Sequence, residues 1–177
     1  MALAHALLSL ALCLVLMAGP ETLAMQTADT SVEQPAVTRI LIKKSERRLY
    51  LLDQEDRVLR SYAVMLGPNP VGHKMESGDG RTPEGRYIID ARNENSAYQR
   101  SLRISYPNDT DKKRAQKAGV SPGGDIFIHG KPNGKSWMWW KYKEGRDWTQ
   151  GCIAVSNDDM QEIWTLVSDG TEIMIAP

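Results

Sequence analysis

The sequence predicts a mainly β fold, a sandwich or barrel carrying one or two short helices. Short apolar runs bounded by turn residues recur at irregular spacing, as at 38–43, 48–53 and 86–90. Helix signals are confined to two short segments, one after Pro107 and one after Val155. No segment has the length of the crossover helices that a wound α/β sheet requires. A chain of 177 residues with one apolar N-terminal block suits a single main domain.

The N-terminus reads as a targeting segment. Ala2 to Gly19 is an apolar run broken mainly by His5 and Ser9, and Thr22-Leu23-Ala24 supplies small residues for cleavage. Residues 1–24 are therefore expected to be a secretory signal, 25–37 a polar flexible leader and 38–177 the folded domain. The first residues lack Lys and Arg, and the run nears the ~18-residue spanning limit, so an uncleaved membrane anchor is the alternative. Leu12 is too large for the position before a lipidated cysteine, which excludes a lipobox at Cys13. Both readings export the domain to the periplasm or cell envelope. Export with cleavage leaves Cys152 as the single thiol.

Each element has its own warrant. Residues 38–43 and 48–53 form a predicted hairpin across the turn 44–47, and 58–66 follows as a further strand. Residues 67–85 carry Pro68, Pro70, Gly72, Gly78, Gly80, Pro83 and Gly85, punctuation too dense for regular structure. Within that loop, beside Lys74, His73 is expected to be solvated rather than catalytic. Residues 86–90 return to strand, 93–100 form a loop, and 101–106 alternate as a half-buried strand stopped by Pro107. Asp109 or Asp111 is expected to cap a short helix through Lys117, ended by Gly119. Residues 125–129 form a strand delivering His129 to a loop junction, and 153–155 form another. Ser156, Asn157 and Asp158 offer N-caps to a helix with Met160, Ile163, Trp164 and Val167 on its apolar stripe. That helix is expected to close at Gly170, with Trp164 in the core, and 171–175 to finish the sheet.

Charge is balanced, 22 Lys and Arg against 22 Asp and Glu, which gives no field for nucleic acid. The chemistry lies between His129-Gly130 and Gly151-Cys152. A thiol attacks a carbonyl as thiolate, so Cys152 requires a base, and His129 is the best-placed one. Gly151 allows a tight turn that exposes the sulfur and aims main-chain N–H groups at an oxyanion. A spacing of 23 positions between His and Cys is by itself a weak signal, and a buried structural cysteine is the plain alternative. His73, His129 and Cys152 have no metal-ligand spacing, and no cofactor is expected.

The segments Ile128-His129-Gly130 and Thr149-Gln150-Gly151-Cys152-Ile153-Ala154-Val155 resemble the L,D-transpeptidase catalytic domain, also called YkuD. Residues 78–85, similar to that family's Thr-Pro-x-Gly loop, and residues 105–108 and 121–125 extend the likeness over the folded part. The resemblance implies a β-sandwich-like fold and attack on peptidoglycan stem peptides at the meso-diaminopimelate–D-alanine bond. It implies Cys152 as nucleophile, His129 as base, the Gly130 carbonyl as the group holding the imidazole, and N–H groups near Gln150, Gly151 and Cys152 as oxyanion hole.

The sequence departs from the pattern in three ways. Gln150 replaces the family's second His, Ala154 replaces the Arg two positions after the cysteine, and the insert between His and Cys is longer. Alanine cannot grip a carboxylate as a guanidinium does, so Arg81, Lys131 and Arg146 become candidates for that role. Thr149 and Gln150 are expected beside the substrate. The insert holds Trp137, Trp139, Trp140 and Trp148 among Lys and Arg residues, as a lid with Trp140 over the substrate or as local packing. Three activities stay open: transpeptidation, hydrolysis of the same thioester, and peptidoglycan binding without catalysis. No obligate protein partner is evident, and membrane contact requires an uncleaved N-terminus.

Overall fold

The computed structural model describes residues 36–134, 142 and 145–177. The predicted signal, nearly all of the leader, and Trp137, Trp139 and Trp140 of the insert lie outside the described residues. In the unit spanning residues 34–177, eight strands and two helices are described. In chain order they are β1 (Arg39–Lys43), β2 (Arg48–Leu52), β3 (Val58–Ala63), β4 (Gly85–Asn93), β5 (Ser101–Ile104), α1 (Asp109–Ala118), β6 (Phe127–His129), β7 (Ile153–Ala154), α2 (Asn157–Leu166) and β8 (Glu172–Ala176).

All eight strands join one sheet in the order β3-β2-β1-β8-β4-β5-β6-β7. β1 runs antiparallel to β2 and parallel to β8, and the last pair, β6 and β7, is also parallel. Beyond β3 the chain meets the far edge of the sheet: Met65 N–H donates to the Ala154 carbonyl at 2.8 Å and Ala154 N–H to that of Met65 at 2.9 Å. This bridge curls the sheet into a half-barrel, the barrel-like outcome of the two architectures expected. Alternation sends Ile40, Ile42, Leu49, Leu51, Ile173 and Ile175 to the inner face, each at most 1 % exposed. Met160 and Ile163 of α2 close the same core. Each such side chain contributes about 1.5–3 kcal/mol by burial, more than the net value of one sheet hydrogen bond.

Several local expectations are corrected. The N-cap of α1 is Asn108, not Asp109 or Asp111: its side chain accepts from Asp111 N–H, and the Asp111 carboxylate accepts from Asn108 N–H. The second helix ends at Val167, ahead of Gly170, because the Arg92 guanidinium takes the Trp164 and Val167 carbonyls while Gly170 N–H bonds Ile89 in the sheet. Trp164 is half-buried, not core, with its ring beneath Arg92 at 4.1 Å and Arg100 at 5.1 Å.

The loop before β4 is irregular as expected, yet His73 is not solvated, and its neighbour Lys74 is buried. His73 Nδ1 accepts from Glu84 N–H at 3.0 Å, and its Nε2 lies beside Arg114 and Asp111. Lys74 is buried on Asp79 at 2.8 Å, and Lys44 is buried on Glu84 at 2.7 Å and on the Gly72 and Thr82 carbonyls. Periodicity cannot reveal these lysines, since their partners lie in a segment without period.

Asp79 is the knot of this loop. Its two oxygens accept from Lys74 Nζ and from the N–H groups of Met75, Glu76 and Arg81. Burial opposes its charge, yet the Lys74 ammonium and the three N–H donors outweigh burial and hold the carboxyl at about 2, below the ordinary 3.8. A depressed carboxylate stabilises the fold above its unfolded pKa, and that contribution is lost as pH falls through about 2. Asp79→Asn is therefore expected to cost about 2 kcal/mol at pH 7 by denaturant titration. The gap between variant and parent should narrow as the titration is repeated toward pH 2.

Candidate active site

β6 and β7 bring His129 and Cys152 together from positions far apart in the chain. Ile128 is paired with Ile153 and His129 with Ala154, and Cys152 immediately precedes that ladder. Both side chains line one cavity of ≈ 400 Å³.

The His129 imidazole is held by its own neighbour. Nδ1 lies 2.7 Å from the Gly130 carbonyl oxygen, which only accepts, so Nδ1 carries the proton and Nε2 keeps its lone pair. Tyr98 packs on the ring at 4.5 Å between centroids and Trp148 meets it edge-on at 5.6 Å. Burial lowers the histidine pKa from 6.5, and the Gly130 bond pulls it partly back. A side chain at position 130 would stand 2.7 Å from Asn157 Oδ1 and 2.9 Å from Gln99 Oε1, so those two side chains would have to move to admit one.

The Cys152 thiol donates to the Asp125 carbonyl at 3.4 Å, not to the imidazole. Burial raises its pKa above 9.0, opposed by a backbone hydrogen bond from Phe127. The nearby Asp125 carboxylate raises it further, and the Lys74 ammonium lowers it. At neutral pH the resting pair is a neutral thiol beside a neutral imidazole. Such a pair can move one proton from sulfur to Nε2 as the sulfur attacks.

The segment before the cysteine is locked against the 67–85 loop. Gly151 sits at φ +119°, and a side chain there would lie 2.6 Å from the Arg81 carbonyl oxygen. Thr82 Oγ1 donates to the Gly151 carbonyl at 2.9 Å, and Thr149 Oγ1 donates to that of Cys152 at 2.8 Å. Gly151 N–H is occupied by Thr149 Oγ1 at 3.2 Å, so the N–H groups of Gln150 and Cys152 are the ones left for an anionic oxygen.

The residues singled out in the sequence are only partly gathered here. Thr149 and Gln150 line the cavity, the first buried with its hydroxyl used within the loop, the second exposed. Arg81 is not among the lining residues. Its guanidinium lies against Gly72, and it meets the cysteine loop through its carbonyl. Arg146 is exposed and also off the cavity, while its neighbour Asp147 pairs with Arg47 and accepts Leu66 N–H. Trp140 lies outside the described residues. Ala154 is fully buried in the ladder, where a longer side chain would displace core. Sequence reasoning assigned no role to Tyr98, Asp125 or Tyr142, all lining the cavity. Asp125 is expected in the strand 125–129, but β6 begins at Phe127 and leaves it in the loop before the strand, while Tyr98 and Tyr142 lie in segments without a periodic signal. Among the described residues no cluster suits a metal: His73 faces Tyr106 and Asp111, and His129 faces Tyr98 and Trp148.

A curled, mostly β half-barrel with a histidine at the end of one strand and a cysteine just before the strand parallel to it defines the class of site. The family model of the YkuD L,D-transpeptidase catalytic domain matches residues 37–175, and the chain belongs to that family. It is 28 % identical over 136 residues to YafK of Escherichia coli K12, provisionally named an L,D-transpeptidase, covering 73 % of this chain and 46 % of that one. The chain thus spans about half the length of the curated relatives it matches. The helical cell shape determining protein Pgp2 of Campylobacter jejuni, as its K307A mutant, superposes with a TM-score of 0.62 at 22 % identity, covering 80 % and 47 % of the two chains. An L,D-transpeptidase of Mycobacterium smegmatis does so at 0.51 and 14 %, covering 80 % and 59 %. The fold is thus that of the L,D-transpeptidases.

Gly151→Ala tests the packing on Arg81. Backbone strain alone should cost about 1–3 kcal/mol, and displacement of the Arg81 carbonyl adds to it. Thermal unfolding should show a clear loss, whereas Gly78→Ala, with nothing within 4 Å of the added carbon, should lose less.

Proposed function

We propose that this domain is a cysteine acyl-transfer enzyme acting on peptidoglycan stem peptides in the cell envelope, an L,D-transpeptidase in chemistry as well as in fold. The observation that carries the reading is the Gly130-fixed tautomer of His129, whose free Nε2 shares a cavity with the Cys152 sulfur. In the reaction, Cys152 Sγ gives its proton to Nε2 and attacks the carbonyl carbon of the diaminopimelate–D-alanine bond. The oxyanion is received by the N–H groups of Cys152 and Gln150. The intermediate collapses as the C–N bond breaks, D-alanine leaves with the proton returned from Nε2, and a thioester remains. An amine or water then attacks the thioester with His129 again as base, and the thiol is restored. An amine forms a cross-link, and water trims the stem.

Export through the N-terminal segment belongs to this proposal, since the substrate lies outside the cytoplasm. Purified protein mixed with a disaccharide tetrapeptide should yield an intact mass shifted by the acyl group with loss of D-alanine, and Cys152→Ala should yield none. Cross-linked dimers among the products identify transfer, and free tripeptide alone identifies hydrolysis. Absence of any adduct, with a carbapenem as well as the peptide, together with retained binding, would leave a peptidoglycan-binding module.

The resting pKa directions set the pH profile. His129 must be neutral to take the proton, and burial holds it below 6.5, so acylation should decline only as pH falls below that value. Alkylation of Cys152 by iodoacetamide in the absence of substrate should keep rising above pH 9.0, the signature of a thiol not ionised at rest.

A further inference from the structure

With the imidazole neutral, the only charged side chain lining the cavity among the described residues is Asp125. Its carboxylate forms no ion pair or hydrogen bond there; it acts on the Arg103 guanidinium only through space, and Arg103 itself is paired with Asp90. Asp125 is held at φ +55°, a region costly to most side chains but open to Asp and Asn. Because its carbonyl accepts the Cys152 thiol at 3.4 Å, the free carboxylate belongs to the residue that touches the sulfur.

Aromatic rings line the same space. Tyr98, 38 % exposed, stacks on Trp148 at 6.2 Å and 23°, and both line the cavity. A ring face attracts a cation and an unpaired carboxylate attracts it more, while the same carboxylate repels an anion. Where the family carries a guanidinium to hold a substrate carboxylate, this chain has the buried Ala154. The charge of the described lining is thus opposite to what an anionic group requires.

We propose that Asp125, with the rings of Tyr98 and Trp148, forms a subsite for a primary ammonium group on the acyl donor, so that the protein selects stem peptides whose diamino-acid side chain ends in a free amine. The inference rests on the acyl-transfer reading above and assigns the part of the donor that is recognised. Substrate selection here runs through an ammonium, not a carboxylate.

The test compares two tetrapeptide donors, one with the side-chain amine free and one with it N-acetylated, by the rate of thioester formation at Cys152 read by rapid-quench intact mass. The parent protein should acylate about tenfold faster with the free amine, the scale of a single partly desolvated charge contact. Asp125→Asn keeps a residue that tolerates the same backbone conformation, and its ratio between donors should fall close to one. Raising salt should shrink the parent's ratio and leave the variant's unchanged. An undiminished ratio in Asp125→Asn, or a parent that acylates both donors equally, overturns the subsite while the thioester itself stands. A parent that forms no thioester with either donor overturns the acyl-transfer reading and the subsite with it.

Discussion

The contact on which the site depends is that of two backbones with nothing between them. Gly151 approaches the Arg81 carbonyl so closely that a methyl group would stand 2.6 Å from the oxygen, and Gly67 approaches the Gly80 carbonyl in the same manner. Glycine at these positions lets the 67–85 loop lie directly on the cysteine turn. The Thr82 hydroxyl then fixes the Gly151 peptide, and with it the direction of the neighbouring N–H groups. A loop without secondary structure can hold such a contact only if it is itself rigid. Two buried lysines make it so, Lys74 on Asp79 and Lys44 on Glu84, each with backbone carbonyls to complete its hydrogen bonds.

Electrostatics at the site follow from the same burial. The core that aligns β6 and β7 removes water from the imidazole and the thiol, which disfavours the charged form of both. The pair is thereby kept neutral at rest. The Gly130 carbonyl orients the imidazole without adding a full negative charge beside it, unlike the carboxylate of many triads. The Asp125 carboxylate is the one formal charge left unpaired in the described lining.

The likeness to L,D-transpeptidases of low identity is a likeness of this frame. Pgp2 shares the curled sheet at 22 % identity, because alternation of apolar residues along short strands is satisfied by many sequences. Against the family pattern this chain carries a buried Ala154 in the ladder and an exposed Gln150 lining the cavity.

The link between His129 and Cys152 came from the family resemblance, and the sequence by itself determined the mainly β class and the positions of both helices. Those features rest on local period, caps and punctuation, which neighbours in the chain supply. It misjudged His73, Trp164, the N-cap of α1 and the C-terminal end of α2, while Gly119 and Ser156 cap as expected; for His73 and Trp164 the deciding partner lies elsewhere, Glu84 and Arg92. Only the tertiary structure decided which groups face the cavity. It turned the side chain of Arg81 away and kept its carbonyl, spent the Gly151 N–H on Thr149, and left the Asp125 carboxylate open. Side-chain direction in irregular loops is set by contacts between distant segments, and no pattern along the chain encodes it.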